Sequence, residues 1–96
     1  MSFQINSFEQ YLEVYARSVA NPEAFWAEIA GSFHWHKKWD SVLEGGFETP
    51  DVRWFSAGKL NITENCLDRH LATRANKTAI IWEPNDPNEV GVNWTY

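Results

Sequence analysis

The sequence predicts an α+β chain with two helices near the N-terminus, a third helix past the midpoint and a β-hairpin near the C-terminus. Three observations carry this. Phe8, Leu12, Tyr15 and Val19 recur at spacings of four, three and four, the signature of one apolar helical face. Asn21-Pro22 then forms a stop and a restart, because proline disfavours helical geometry in the residue before it and suits the first turn of a new helix. Two β-prone runs, Thr78-Ala-Ile-Ile-Trp-Glu83 and Val92-Asn-Trp-Thr-Tyr96, flank the polar loop from Pro84 to Val90.

Residues 1–6 carry little structural signal and are expected to be disordered. Ser7-Phe-Glu-Gln10 reads as a capping box opening the first helix, over about residues 8–20. Its apolar stripe is expected to be core, and Glu13 and Arg17 are placed as an i,i+4 ion pair. Asn21 caps a second helix over about 22–30, with Phe25, Trp26, Ile29 and Phe33 along one side and Gly31 as terminator. The aperiodic, Gly- and acid-rich text from Asp40 to Pro50 reads as a surface connection. Asp51–Phe55 reads as a short extended segment closed by a turn at Ala57-Gly58-Lys59. Asn61, with Glu64 three residues on, caps a third helix over about 62–74, whose inner face carries Ile62, Cys66, Leu67, His70 and Leu71. Strands over about 78–83 and 92–96 form an antiparallel hairpin, with Val92, Trp94 and Tyr96 on one face.

Ninety-six residues allow one modest core, and a chain of this size buries roughly 60–65% of its unfolded surface. Six Trp, six Phe and three Tyr make an aromatic fraction of 16%, more than so small a core needs. Thirteen acids against eight bases give a net charge of −5, which disfavours non-specific binding to nucleic acid or anionic membranes. The lone Cys66 cannot form an internal disulfide, and no basic segment followed by an apolar run opens the chain. A cytoplasmic protein is expected.

Several patterns carry chemistry elsewhere. His34-Trp-His-Lys-Lys-Trp39 alternates rings with bases, as in single-strand nucleic-acid binders, and His34 and His36 make a His-x-His pair. The acidic chain argues against the first, and the want of further ligands nearby in sequence against the second. Two buried tryptophans with Lys and His heads in water is the better account. Cys66 and His70 stand at i,i+4, a spacing found in metal and thiolate sites, but lack a third ligand or a second base, so a packed thiol beside a histidine is expected. Asn61, Asn76 and Asn93 open Asn-x-Ser/Thr matches, which matter only in a secreted protein. No catalytic, cofactor-binding or metal residue is therefore assigned.

Asn21-Pro22-x-x-Phe25-Trp26, Arg53-Trp54-Phe55-x-x-Gly58-x-Leu60-Asn61, Asn65-Cys66-Leu67-Asp68-Arg69-His70, Ala79-Ile80-Ile81-Trp82-Glu83 and Trp94-Thr95-Tyr96 stand in order. In that order they resemble the N-terminal region of AMP-forming acetyl-CoA synthetases, members of the adenylate-forming ligase superfamily, from about residue 8 onward. Propionyl- and acetoacetyl-CoA synthetases share much of the pattern, so the acyl group stays open. The resemblance implies that residues 1–96 are a single N-terminal segment of a longer ligase that wraps a large domain and supplies its first strands. It further implies a parent that converts ATP, acetate and coenzyme A to acetyl-CoA, AMP and pyrophosphate through acetyl-adenylate with Mg²⁺. The family's phosphate loop, ribose-binding acid and mobile lysine have no counterpart here, so no cofactor and no activity is expected in this chain.

The alternative is a non-enzymatic interaction module that holds a partner with its aromatic face. A reading frame that continues into a phosphate-binding loop supports the ligase; a stop codon after Tyr96 supports the module. Open hairpin edges and surplus rings mark the chain as an incomplete piece of a larger domain. The isolated chain is accordingly expected to self-associate, and a monomer in sedimentation equilibrium at high concentration contradicts this.

Overall fold

The computed structural model describes residues 3–96, in the order α1 (Phe8–Ala20), α2 (Pro22–Ala30), β1 (Ser41–Gly46), β2 (Thr49–Ser56), α3 (Ile62–Cys66), a 3-10 turn (Asp68–His70), α4 (Leu71–Arg74), β3 (Thr78–Trp82) and β4 (Val92–Thr95). Of the segment expected to be disordered, Met1 and Ser2 lie outside the described residues. Two two-stranded antiparallel sheets, β1–β2 and β3–β4, join the helices, an α+β architecture as expected. The chain divides into two compact units, one reaching Asn61 and one running from Ile62 to Tyr96.

In the first unit both helices keep their expected bounds because local chemistry sets them. Ser7 Oγ accepts the Gln10 amide at 3.1 Å, and Gln10 Oε1 accepts the backbone N–H of Asn6 at 2.7 Å. The reciprocal bond therefore closes one residue earlier than in the standard capping box. Asn21 serves two helices: its N–H donates to Arg17 O, ending α1, and its Oδ1 accepts the Ala24 amide at 3.1 Å, opening α2. Gly31, at φ −62°, ends α2 without a left-handed turn.

The helices face differently from expectation. Gln10, Val14 and Arg17 of α1 line a recess of about 410 Å³ together with Phe25, Glu28 and Ile29 of α2. The stripe of Phe8, Leu12, Tyr15 and Val19 is exposed and is not core. Arg17 is paired with Glu28 at 2.8 Å, with its guanidinium 5.5 Å from the Phe25 centroid. It thus holds the two helices together, where sequence spacing had paired it with Glu13. An i,i+4 contact on an exposed helix contributes only about 0.3–0.5 kcal/mol. A second helix within reach offers a better-placed carboxylate and an aromatic face at once.

The segment read as a surface connection is instead a strand. β1 pairs with β2 through Ser41↔Ser56, Leu43↔Trp54 and Glu44↔Arg53, with a register shift between Glu44 and Gly46. That irregularity erases the period-two signal. Gly45 sits at φ +75°, where a Cβ would lie 1.8 Å from Asp51 O, so only glycine fits. Arg53 also donates to Asp51 at 3.0 and 3.2 Å, and this carboxylate raises the Arg53 pKa further above its ordinary value.

In the second unit the expected helix over 62–74 is broken. α3 ends at Cys66, Leu67 adopts φ −120° and ψ −66°, and the 3-10 turn and α4 follow. The break changes the helical phase, so the expected inner face does not form. Ile62, Cys66, Leu67 and Leu71 are exposed, and polar Asn65 is buried. The β3–β4 hairpin keeps its expected span to within a residue, paired through Ile80↔Trp94, Ile81↔Asn93 and Trp82↔Val92. The Tyr96 amide donates to Lys77 O at 3.2 Å, and the Tyr96 ring stands 6.3 Å from that of His70.

Replacing Asn21 removes the α2 cap while leaving every exposed apolar contact in place. Asn21→Ala is expected to cost about 1 kcal/mol. The check is a lower urea midpoint with an unchanged m-value, and an unchanged midpoint refutes the double role.

Candidate functional site

Aromatic rings form the densest constellation in the first unit. Trp35 and Trp39 meet at 4.9 Å between centroids, and Phe55 sits 5.6 Å from Trp35 and 5.3 Å from Trp39. The series continues from Phe55 to Trp54 at 6.0 Å, from Trp54 to Trp26 at 6.4 Å and from Trp26 to Phe25 at 5.2 Å. Most of these pairs are tilted or edge-on, the geometry that ring quadrupoles favour, each contributing about 0.5–1.5 kcal/mol beyond area burial. Trp35 Nε1 donates to Ala30 O at 2.8 Å, so its one polar group is satisfied.

Backbone geometry builds this cluster. The Lys59 carbonyl accepts the His36 and Lys37 amides at 2.7 and 3.1 Å, and the Lys59 amide donates to Lys37 O at 2.9 Å. These bonds bring the His34–Trp39 patch alongside the end of β2. Between them the chain turns tightly, with Gly58 N–H donating to Phe55 O at 3.0 Å. Phe55 (φ +52°) and Ala57 (φ +61°) both take the left-handed region, at a cost of about 1–3 kcal/mol each. Gly58 lies so close to the rings that a Cβ there would stand 2.6 Å from Trp35 Cζ3. The Ser56 hydroxyl is buried without a hydrogen-bond partner, a further cost at the same turn. Ring packing thus holds a strained turn in place.

The residues singled out by sequence fall as follows. His34, His36, Lys37 and Lys38 are exposed, as expected of polar heads left in water, whereas Trp35 and Trp39, expected to be buried, are half-buried. Lys38 Nζ lies 5.2 Å from the Trp39 centroid. Cys66 is exposed on α3 rather than packed, and it and His70 lie on opposite sides of the helix break. Asn61 and Asn76 lie beside helix ends and Asn93 within β4, all exposed. Among the described residues, no three His, Cys, Asp or Glu side chains converge closely enough to hold a metal ion. No helix among them is long and apolar enough to cross a membrane.

Sequence reasoning missed the outward face of α1. Periodicity finds an apolar stripe but not the direction it points. Val14 and Arg17, which face α2, lie off that stripe.

Comparison with known proteins assigns the family. The model described as "Acetyl-coenzyme A synthetase N-terminus" matches residues 11–66. The acetyl-coenzyme A synthetase of Chlorobaculum tepidum is 50% identical over 86 residues, covering 88% of this chain and 13% of that protein. Those of Saccharophagus degradans (51% over 89 residues) and Bdellovibrio bacteriovorus (46% over 88 residues) cover 92% and 91% of this chain and 14% of their own lengths. The chain therefore spans about an eighth of the length of these relatives.

Gly58→Ala is expected to push Trp35 away from Phe55 and destabilise the first unit by about 1–3 kcal/mol. Near-UV circular dichroism and the unfolding midpoint test this; an unchanged aromatic signal refutes the close approach. Matched by the family model over more than half of its residues, the chain belongs to the acetyl-coenzyme A synthetase N-terminus family.

Proposed function

We propose that this chain acts as the N-terminal part of an acetate–CoA ligase, in which it wraps and completes the body that carries the chemistry. The carrying observation is the match to acetyl-coenzyme A synthetases over 88% of this chain and only 13% of the relative. The physical state of the chain supports it. Among the described residues only Ala30 and Asn65 are buried, while large apolar side chains stand exposed in both units. The second unit, about 35 residues, lies below the roughly 40 at which a domain usually folds unaided. Apolar surface left open on this scale favours association with a larger body.

In this reading the ligase joins acetate to coenzyme A through acetyl-adenylate, consuming ATP and releasing AMP and pyrophosphate in the cytoplasm. ATP, coenzyme A, Mg²⁺ and acetate bind outside these 96 residues, and no side chain of this chain is given a catalytic, cofactor or metal role. Its contribution is rigidity: the aromatic series from Phe25 to Trp39 and the hairpins are parts to be packed against.

Acetate-dependent ATP–pyrophosphate exchange tests the proposal. The 96-residue chain alone is expected to show no exchange above blank. A full-length chimera, with this chain replacing the matched segment of the Chlorobaculum tepidum synthetase, is expected to activate acetate. Exchange by the chain alone, or a folded chimera without exchange, overturns the reading.

A further inference from the structure

The face of α1 that points away from α2 has no use in the fold described above. Phe8, Tyr11, Leu12, Tyr15 and Val19 are all exposed, from 46% at Tyr11 to 68% at Phe8. They follow one another at steps of three, one, three and four, forming a single strip along the whole of α1. Phe8 stacks on Tyr11 at 6.1 Å and Tyr11 on Tyr15 at 6.0 Å, so three rings form one pre-ordered ridge. The helix beneath is capped at both ends and tied to α2 by the Arg17–Glu28 pair, so the ridge is presented on a fixed support. Glu9 and Glu13, each one residue after a member of the strip, are exposed along its flank, between it and the side of α1 that carries Gln10, Val14 and Arg17. Anchors at i, i+3, i+4 and i+7 on a rigid helix are the pattern by which an amphipathic helix fills an apolar groove.

We propose that the α1 ridge is a docking surface whose occupant is the main body of the ligase, which receives it in an apolar groove bordered by basic side chains next to Glu9 and Glu13. This rests on the ligase reading above. Two observations select the occupant. About seven-eighths of each relative's length lies outside the segment this chain matches, which supplies a body large enough to hold the groove. The acids beside the strip also oppose face-to-face pairing of two copies, since like charges would be brought together, whereas a basic rim complements them. Burying the ridge would remove the exposed parts of five large apolar side chains from water.

Hydroxyl-radical footprinting of Phe8, Tyr11 and Tyr15 tests this in the 96-residue chain and in the full-length chimera. Labelling is expected to fall at least about tenfold from the dilute free chain to the chimera. The double variant Leu12→Glu/Tyr15→Glu, at exposed positions, is expected to leave the helix content of the free chain unchanged. In the chimera it should lower Tm and restore labelling of Phe8 and Tyr11. Equal labelling of the free chain and an active chimera overturns this proposal and leaves the ligase reading standing. Protection in the free chain that dilution abolishes assigns the ridge to a second copy, and likewise overturns it. An unchanged Tm for the double variant in the chimera does the same. A chimera unable to activate acetate removes the ligase reading and this proposal with it.

Discussion

Phe55 holds the first unit together. Its ring lies within 6.0 Å of Trp35, Trp39 and Trp54, and it joins the segment after α2 to the end of β2. Its backbone takes a conformation that a bulky residue ordinarily avoids, and Gly58 must stay bare to let Trp35 approach. Such strain persists only where the surroundings over-determine it. Here three indole rings and the Lys37–Lys59 bridge supply that constraint. Without ring packing the left-handed turn would relax, and the strand pairing of Ser41 with Ser56 next to it would lose its anchor.

That local rigidity contrasts with the scarcity of core. Trp35, Trp39 and Phe55 are half-buried, and the tip residue Phe47 is wholly exposed. In the second unit Ile80 and Ile81 are neighbours on β3, so their side chains leave the ribbon on opposite faces, and both are exposed. A ribbon that is apolar on both faces is the composition of a strand covered on both sides. Well-specified local geometry thus stands beside little cover in both units.

The same packing shapes the recess of the first unit. A reacting site needs polar groups converging on a sheltered space. The recess beside α1 and α2 takes its apolar lining from Phe3, Ile5, Val14, Phe25 and Ile29, with Gln4 and Gln10 also on its wall, and its charged members Arg17 and Glu28 pair with each other at 2.8 Å. Cys66, His34 and His36 are all exposed.

What the sequence determined by itself is whatever depends on neighbours within a few residues. Ser7, Asn21 and Pro22 set the ends of α1 and α2 through bonds three or four residues long, and β-branched runs set β3 and β4. The helix ends are legible because the partners of their capping bonds lie within four residues along the chain. Tertiary structure alone decided which way α1 faces, that Arg17 pairs with Glu28 eleven residues on, that the glycine-rich stretch after Asp40 is a bulged strand, and that the helix after Asn61 breaks at Leu67. Periodicity shows that a stripe exists but carries no information about what it meets. A bulge shifts the alternation that would have revealed β1, and a helix break resets the phase on which any inner face is drawn.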